Sequence, residues 1–102
     1  MLTSVDADVI RALGDPLRLR IVTLLARETL CTTHLVEETG ARQTNLSNHM
    51  KVLREAGLVE TEPCGRFTYY KLKPEVLAGL SGQFAELAAS ARTAAGNKRA
   101  CP

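Results

Sequence analysis

The residues best suited to a specific chemistry are hydrogen-bonding side chains with little charge, close together near the middle of the chain. They are Gln43, Thr44, Asn45, Ser47, Asn48 and His49. Gln and Asn side chains pair bidentately with adenine, and Ser and Thr hydroxyls hydrogen-bond to several base edges. The basic residues Lys51, Arg54 and Arg66 are suited to phosphates, which adds affinity without sequence information. The segment therefore predicts a surface that contacts double-stranded DNA.

An ordinary solvent-exposed helix face is the alternative for this segment, because most surface helices have a polar outer side. The distribution of charge favours DNA. The formal net charge of the 102-residue chain is only +2, but residues 42–73 carry six basic and three acidic residues, a net +3. Residues 1–41 carry four basic and six acidic residues, a net −2. Positive charge concentrated in one segment is typical of a face that meets a polyanion.

Two helices are predicted at the start of the chain. Apolar residues recur at helical spacing over residues 5–13, and Gly14 closes the pattern as a helix C-terminal glycine does. Asp15 lies directly before Pro16, which places a capping carboxylate before a proline at the first helical position. This signal predicts a second helix that ends near Arg27.

Two more helices are predicted to follow after short connections. Thr32 or Thr33 can cap a third, short helix that ends at Gly40. The fourth helix is predicted over residues 43–56, with Gly57 as the left-handed residue at its end. Its buried side is predicted to hold Leu46, Met50 and Leu53. Two helices joined by a turn that contains glycine are typical of a helix-turn-helix.

The hydrophobic period changes after Gly57 and predicts a β-hairpin followed by a last helix. Residues 58–62 and 67–72 alternate with a period of two, and residues 63–66 form a turn with a basic tip. The last helix begins at Pro74, and its apolar residues alternate in steps of three and four. The fold class is therefore mainly α with a β-hairpin, a winged helix-turn-helix with helices at both termini.

The length predicts one domain. We expect it to occupy residues 1–95, with residues 96–102 as a flexible C-terminal tail. A chain of this size buries little core, so pairing with a second copy is expected to stabilise it. The predicted homodimer interface consists of apolar residues of the two terminal helices, Val5, Val9, Leu77, Leu80, Phe84 and Leu87. The alternative is that this stripe packs only on its own domain.

The cysteines argue against a disulfide scaffold and against a zinc finger. There are three, Cys31, Cys64 and Cys101, and none belongs to a Cys-x-x-Cys pair. The N-terminus lacks the features of a secretory signal and no run is apolar enough for a membrane span, so we expect a cytoplasmic protein. No Gly-rich phosphate loop or His-Glu-x-x-His motif is present, which predicts that the protein is not an enzyme.

Three stretches in order resemble the signature stretches of the ArsR/SmtB metalloregulators. They are residues 13–21 (LGDPLRLRI), 43–59 (QTNLSNHMKVLREAGLV) and 65–72 (GRFTYYKL). The resemblance spans about residues 8–90. It implies a homodimeric winged-helix transcriptional regulator, usually a repressor, that leaves its operator when a metal or metalloid binds. It also implies that the first and last helices form the dimer interface and that two recognition helices address an inverted repeat.

The sensory positions of that family differ in this sequence. Cys31 stands where the first cysteine of a Cys-x-Cys pair is found in arsenic and cadmium sensors, but Thr33 stands in place of the second. The positions that bind zinc on the last helix are occupied here by Pro74, Val76, Leu87 and Ser90, none of which is a usual metal ligand. Cys31 and His34, three residues apart, are the remaining candidates for a half-site.

Two interpretations of the regulation stay open from the sequence. In one, the protein responds to a transition metal such as nickel, zinc or copper, or to As(III), through Cys31 and His34. In the other, it binds DNA without a metal sensor of its own and is controlled by a co-regulator protein or by thiol oxidation. In the second case Cys31 is a small buried residue and His34 a polar surface residue.

Overall fold

A computed structural model describes residues 1–102 of the chain. Its elements, in order, are α1 (Ser4–Leu13), α2 (Pro16–Leu25), β1 (Leu30–Cys31), α3 (Thr32–Thr39), α4 (Gln43–Glu55), β2 (Val59–Cys64), β3 (Phe67–Leu72) and α5 (Pro74–Ala94). The predicted class, a mainly helical winged helix-turn-helix, is confirmed. No helix is both long enough and apolar enough to cross a membrane.

The first two helices begin at side-chain caps. The Asp15-Pro16 start is confirmed, since Asp15 Oδ2 accepts the backbone N–H of Arg18 at 3.0 Å. A capping box at the start of α1 was not predicted: Thr3 Oγ1 accepts the N–H of Asp6, and Asp6 Oδ2 accepts the N–H of Thr3. These contacts satisfy N–H groups that have no partner within the helix.

The helix-turn-helix consists of α3 and α4. Gly40 ends α3 with φ of 73° and Gly57 follows α4 with φ of 78°, both in the left-handed region that favours glycine. The helix α3 starts at Thr32 and its N-cap is Cys31, so the predicted cap at Thr32 or Thr33 lies one or two residues too late. The three apolar residues predicted for the inner side of α4, Leu46, Met50 and Leu53, are all buried.

The wing is an antiparallel hairpin of β2 and β3, joined by a turn in which Gly65 has φ of 61°. A third strand was not predicted. β1 pairs with β3, with Leu30 opposite Tyr70 and Cys31 opposite Tyr69, which gives the sheet order β1-β3-β2. The pairing ties the start of α3 to the wing.

The core lies between α1, α2, α3, α4 and the inner side of the sheet, and α5 projects from it. Only Leu80 of the 21 residues of α5 is buried. Two residues predicted for the dimer interface belong instead to the core of the protomer, since Val9 is 2% exposed and Leu80 is 5% exposed. Their assignment to the interface is corrected because both side chains already pack within their own chain.

Candidate nucleic-acid interface

The outer side of α4 is a continuous polar surface. Its first turns present Gln43, Thr44, Asn45, Ser47 and Asn48, all exposed. Leu46, Met50 and Leu53 on the opposite side anchor the helix to the core, which fixes the direction in which the polar side chains point. The helix therefore offers amide and hydroxyl groups to a ligand along one side, the arrangement predicted for base contact.

His49 does not belong to this exposed surface. Its side chain is 19% exposed, and its Nδ1 lies 3.1 Å from Nη1 of Arg18 on α2. For His49, which the sequence predicts as a base-reading residue, the contact with Arg18 occupies Nδ1 and holds the ring against α2. No local sequence pattern indicates this contact, since Arg18 lies 31 residues away.

Basic side chains flank the polar surface. Lys51 and Arg54 are exposed on α4 as predicted, and Lys51 Nζ lies 4.0 Å from Glu55 Oε1. Arg54 makes no ion pair, and neither does Arg42, the exposed N-cap residue of α4, which was not predicted as a site residue. Unpaired guanidinium groups are available to phosphate oxygens.

The wing tip carries a cation beside an exposed aromatic ring. Arg66 lies in the turn and is exposed, and Phe67 next to it is 51% exposed. Lys71, further along the hairpin, is paired with Glu62, with 3.2 Å between Nζ and Oε2. Arg66 is therefore an exposed cation at the wing tip without an ion pair, and Phe67 is an apolar neighbour that sequence reasoning did not single out.

The terminal helices leave apolar side chains uncovered. Val5 of α1 is 66% exposed, and Phe84 and Leu87 of α5 are 45% and 53% exposed. Met1 and Leu2 lie beside α5, where they line a shallow groove of about 290 Å³ together with Gln83, Glu86, Leu87 and Ser90. Leu77 is half-buried against the core. Large apolar side chains in such numbers on the two terminal helices are typical of a surface that a partner covers.

The residues predicted as a metal half-site do not form a metal site within one chain. Cys31 is buried, and Nδ1 of His34 accepts the backbone N–H of Cys31 at 3.2 Å. The His34 ring meets Tyr69 edge-on, with 5.9 Å between ring centroids. Nowhere in the chain do three or more His, Cys, Asp or Glu side chains lie close enough together to hold a metal ion. Cys31 and His34 are therefore two potential donors without a third beside them in the same chain.

The pKa of the Asp15 carboxyl is lowered, and the main cause is the hydrogen bond from the backbone N–H of Arg18. Partial burial acts in the opposite direction, while the charge that His49 carries when its ring is protonated and the charge of Arg18 lower the pKa further. A group whose pKa is lower in the folded state contributes stability above its unfolded pKa and loses it as the pH falls through the folded value.

We expect the variant Asp15→Asn to lose less unfolding free energy in acid than the wild type does. Asn also caps helices but does not titrate, so the variant lacks the contribution that protonation removes from the wild type. The measurement is urea unfolding from neutral pH down to values below the pKa of a free aspartate. Equal losses of unfolding free energy in the two proteins would contradict the assigned role of Asp15.

Comparisons with known proteins agree with this arrangement. Residues 15–61 match the family model described as bacterial regulatory protein, arsR family. The arsenical resistance operon repressor of Bacillus subtilis is 38% identical over 71 residues, which cover 69% of this chain and 68% of the repressor. The chain spans about half the length of several other curated relatives.

Solved structures share the fold over most of the chain. An ArsR-like transcriptional regulator from Rhodococcus superposes with a TM-score of 0.80 at 26% identity, covering 90% of this chain and 89% of that one. A homodimeric winged helix-turn-helix DNA-binding domain from Mycobacterium bovis superposes with a TM-score of 0.71 at 24% identity, covering 95% and 89%. The chain thus belongs to the arsR family of bacterial regulatory proteins and is a transcriptional regulator with a winged helix-turn-helix.

Proposed function

We propose that the protein is a homodimeric repressor of transcription that binds an inverted-repeat operator in double-stranded DNA. The observation that carries the proposal is the outer side of α4, which presents five exposed amide and hydroxyl side chains between unpaired arginines. A helix with such a surface fits the major groove, where base edges differ in their donors and acceptors. Similarity to the Bacillus subtilis repressor supports repression as the direction of control.

Each group of side chains has a separate role in the proposal. Gln43, Thr44, Asn45, Ser47 and Asn48 contact base edges. Lys51, Arg54 and Arg66 contact phosphates, with Arg66 reaching the DNA from the wing. Because these roles consist of binding and positioning, the proposal assigns the protein no catalytic activity. It also places the protein in the cytoplasm, with the DNA that it binds.

We propose that a second copy of the chain covers the exposed apolar residues. Val5, Phe84 and Leu87 lie on terminal helices that a single protomer leaves largely unpacked. The Mycobacterium bovis domain is a homodimer, which supports the same assembly here. A two-fold dimer would present its two α4 helices about 34 Å apart, one turn of DNA, and this spacing requires an inverted repeat.

We expect substitutions on α4 to divide into two classes. Asn48→Ala or Gln43→Ala should reduce discrimination at one base position by about 1–3 kcal/mol, because a side chain that pairs with a base is lost. Lys51→Ala should weaken binding to all sequences alike and lower the salt slope by about one, because one phosphate contact is lost. The measurement is fluorescence anisotropy with the DNA upstream of the gene and with random DNA, over a series of salt concentrations.

The control for the α4 variants is Glu75→Gln, an exposed position at the start of α5 that lies outside the proposed DNA surface. Equal losses on operator and random DNA for Asn48→Ala and Gln43→Ala would contradict the assignment of base contacts. No preference of the wild type for any upstream sequence would contradict the proposed function as a whole.

The same assay tests how the protein is regulated. A single chain brings no three metal donors together, so we expect Zn, Ni, Co, Cu(I), Cd and As(III) to leave operator affinity unchanged. The signal would then come from a co-regulator protein or from oxidation of the exposed thiols of Cys64 and Cys101. Release or tightening with one metal would support a ligand set that a second subunit completes around Cys31 and His34.

A further inference from the structure

The guanidinium of Arg18 joins two helices that the proposed function assigns to different tasks. Its Nε donates to the carbonyl of Ala12 at 2.7 Å and its Nη2 to the carbonyl of Arg11 at 3.4 Å, both at the end of α1. Its Nη1 lies 3.1 Å from Nδ1 of His49 on α4. Arg18 is the residue whose side chain hydrogen-bonds to both α1 and α4.

The contact determines where the proton of His49 lies. An arginine side chain only donates, so Nδ1 of His49 must accept, and a neutral imidazole that accepts at Nδ1 carries its proton on Nε2. A protonated His49 paired with Asp15 is the competing arrangement, but Nδ1 lies 3.9 Å from Oδ2 of Asp15, too far for a hydrogen bond. It would also place an N–H against the guanidinium.

The other nitrogen of the ring is not fully buried. Nε2 of His49 has no hydrogen-bond partner in the protein, and no buried side-chain nitrogen or oxygen of the chain lacks one. Nε2–H is therefore accessible to an outside acceptor. Asn45, one turn earlier on α4, is exposed, so the donor lies at the edge of the proposed DNA surface.

We propose that Arg18 is a positioning residue for DNA binding, which holds α4 against the end of α1 and fixes His49 as an Nε2–H donor to a backbone phosphate. A phosphate is the expected acceptor because the donor lies at the side of α4 rather than on its outermost line. The inference rests on the proposed function and adds two residues to it. It also links a dimerisation helix to the helix that contacts bases.

The first test is the tautomer of His49, measured by long-range proton–nitrogen NMR of the wild type at neutral pH. The chain has only two histidines, and His34→Gln identifies their signals. We expect the neutral form of His49 to carry its proton on Nε2. In Arg18→Gln we expect a mixture of tautomers, because the donor that selects one of them is lost. A neutral form with its proton on Nδ1 would overturn the inference without any DNA measurement.

The second test is operator affinity by anisotropy. We expect Arg18→Gln to bind about tenfold more weakly, since a hydrogen bond with a charged partner is lost at the base of α4. The matched control is Arg20→Gln on the same helix, because Arg20 Nη2 donates to the carbonyl of Glu38, on α3 rather than α4. The control should bind DNA as the wild type does. Wild-type affinity in Arg18→Gln would overturn the inference.

The variant His49→Asn tests the contact with Arg18 and the contact with DNA separately. Its result does not require that an Arg18 variant folds. Its amide oxygen can accept from Arg18 as Nδ1 does, but the shorter side chain has no N–H at the position of Nε2. We expect wild-type thermal stability and severalfold weaker binding to operator and random DNA alike. Undiminished binding would overturn the phosphate contact. A wild type that binds no DNA would overturn both the proposed function and this inference. The tautomer measurement would still show whether Arg18 and His49 are in contact.

Discussion

Replacing Leu46 by alanine should lower the free energy of unfolding by about 2–5 kcal/mol, the usual range for a fully buried leucine. Leu46 is 0% exposed and lies on the inner side of α4, directly beneath the residues that we assign to base contact. The variant loses the transfer energy of its buried methyl groups and gains a cavity that neighbouring side chains fill only in part. Because a domain of this size has a total stability of about 5–15 kcal/mol, the loss should be obvious.

The measurement is urea unfolding at one fixed protein concentration, since the stability of a dimer depends on concentration. Val52→Ala on the same helix is the matched control, because Val52 is 38% exposed and its truncation leaves no closed cavity. We expect the control to lose well under half as much as Leu46→Ala. Similar losses in the two variants would show that α4 is not anchored by the buried side that the structure describes.

Replacing Phe84 and Leu87 by glutamate should separate the dimer and reduce operator affinity by about 10²–10⁴-fold. Two linked binding units gain this factor because the second half-site is bound intramolecularly. The substitutions place charges on side chains that a single protomer leaves about half exposed, so the fold of the protomer should survive. The measurements are sedimentation velocity for the mass and anisotropy for affinity on an intact operator.

Thr93→Glu, exposed near the end of α5 and beyond the apolar stripe, is the control for added negative charge. It should remain dimeric and bind the operator as the wild type does. A Phe84→Glu, Leu87→Glu double variant that sediments as a dimer would contradict the assigned interface. A monomer that binds the full operator as tightly as the wild type would contradict recognition by two linked copies.

Local signals predicted most of the elements. Asp15 before Pro16 begins α2 as expected, and Gly40 and Gly57 end α3 and α4 with positive φ. These signals work because a helix start needs side-chain acceptors for its free N–H groups, and a helix end often needs a residue that tolerates the left-handed region. Helical spacing likewise identified Leu46 as buried, since residues three and four apart share one side of a helix.

Contacts between distant segments were beyond the reach of the same signals. β1 has two residues, too few to show a period, and it exists because Leu30 and Cys31 pair with β3. Val9 has the spacing of an interface residue and of a core residue alike, and only the packing of α1 on the other helices placed it in the core. Periodicity indicates which side of a helix is apolar, but it does not indicate what covers that side.

The sequence by itself determined that this chain is a winged helix-turn-helix of the arsR type with a polar recognition helix, because caps, turns and periodicity depend on residues near one another. The tertiary structure decided which side chains of that helix are free. Asn48 is exposed, whereas the neighbouring His49 is held by Arg18, which lies 31 residues earlier in the chain. The physical reason is that such a hydrogen bond depends on how two helices pack, and no local pattern records that packing.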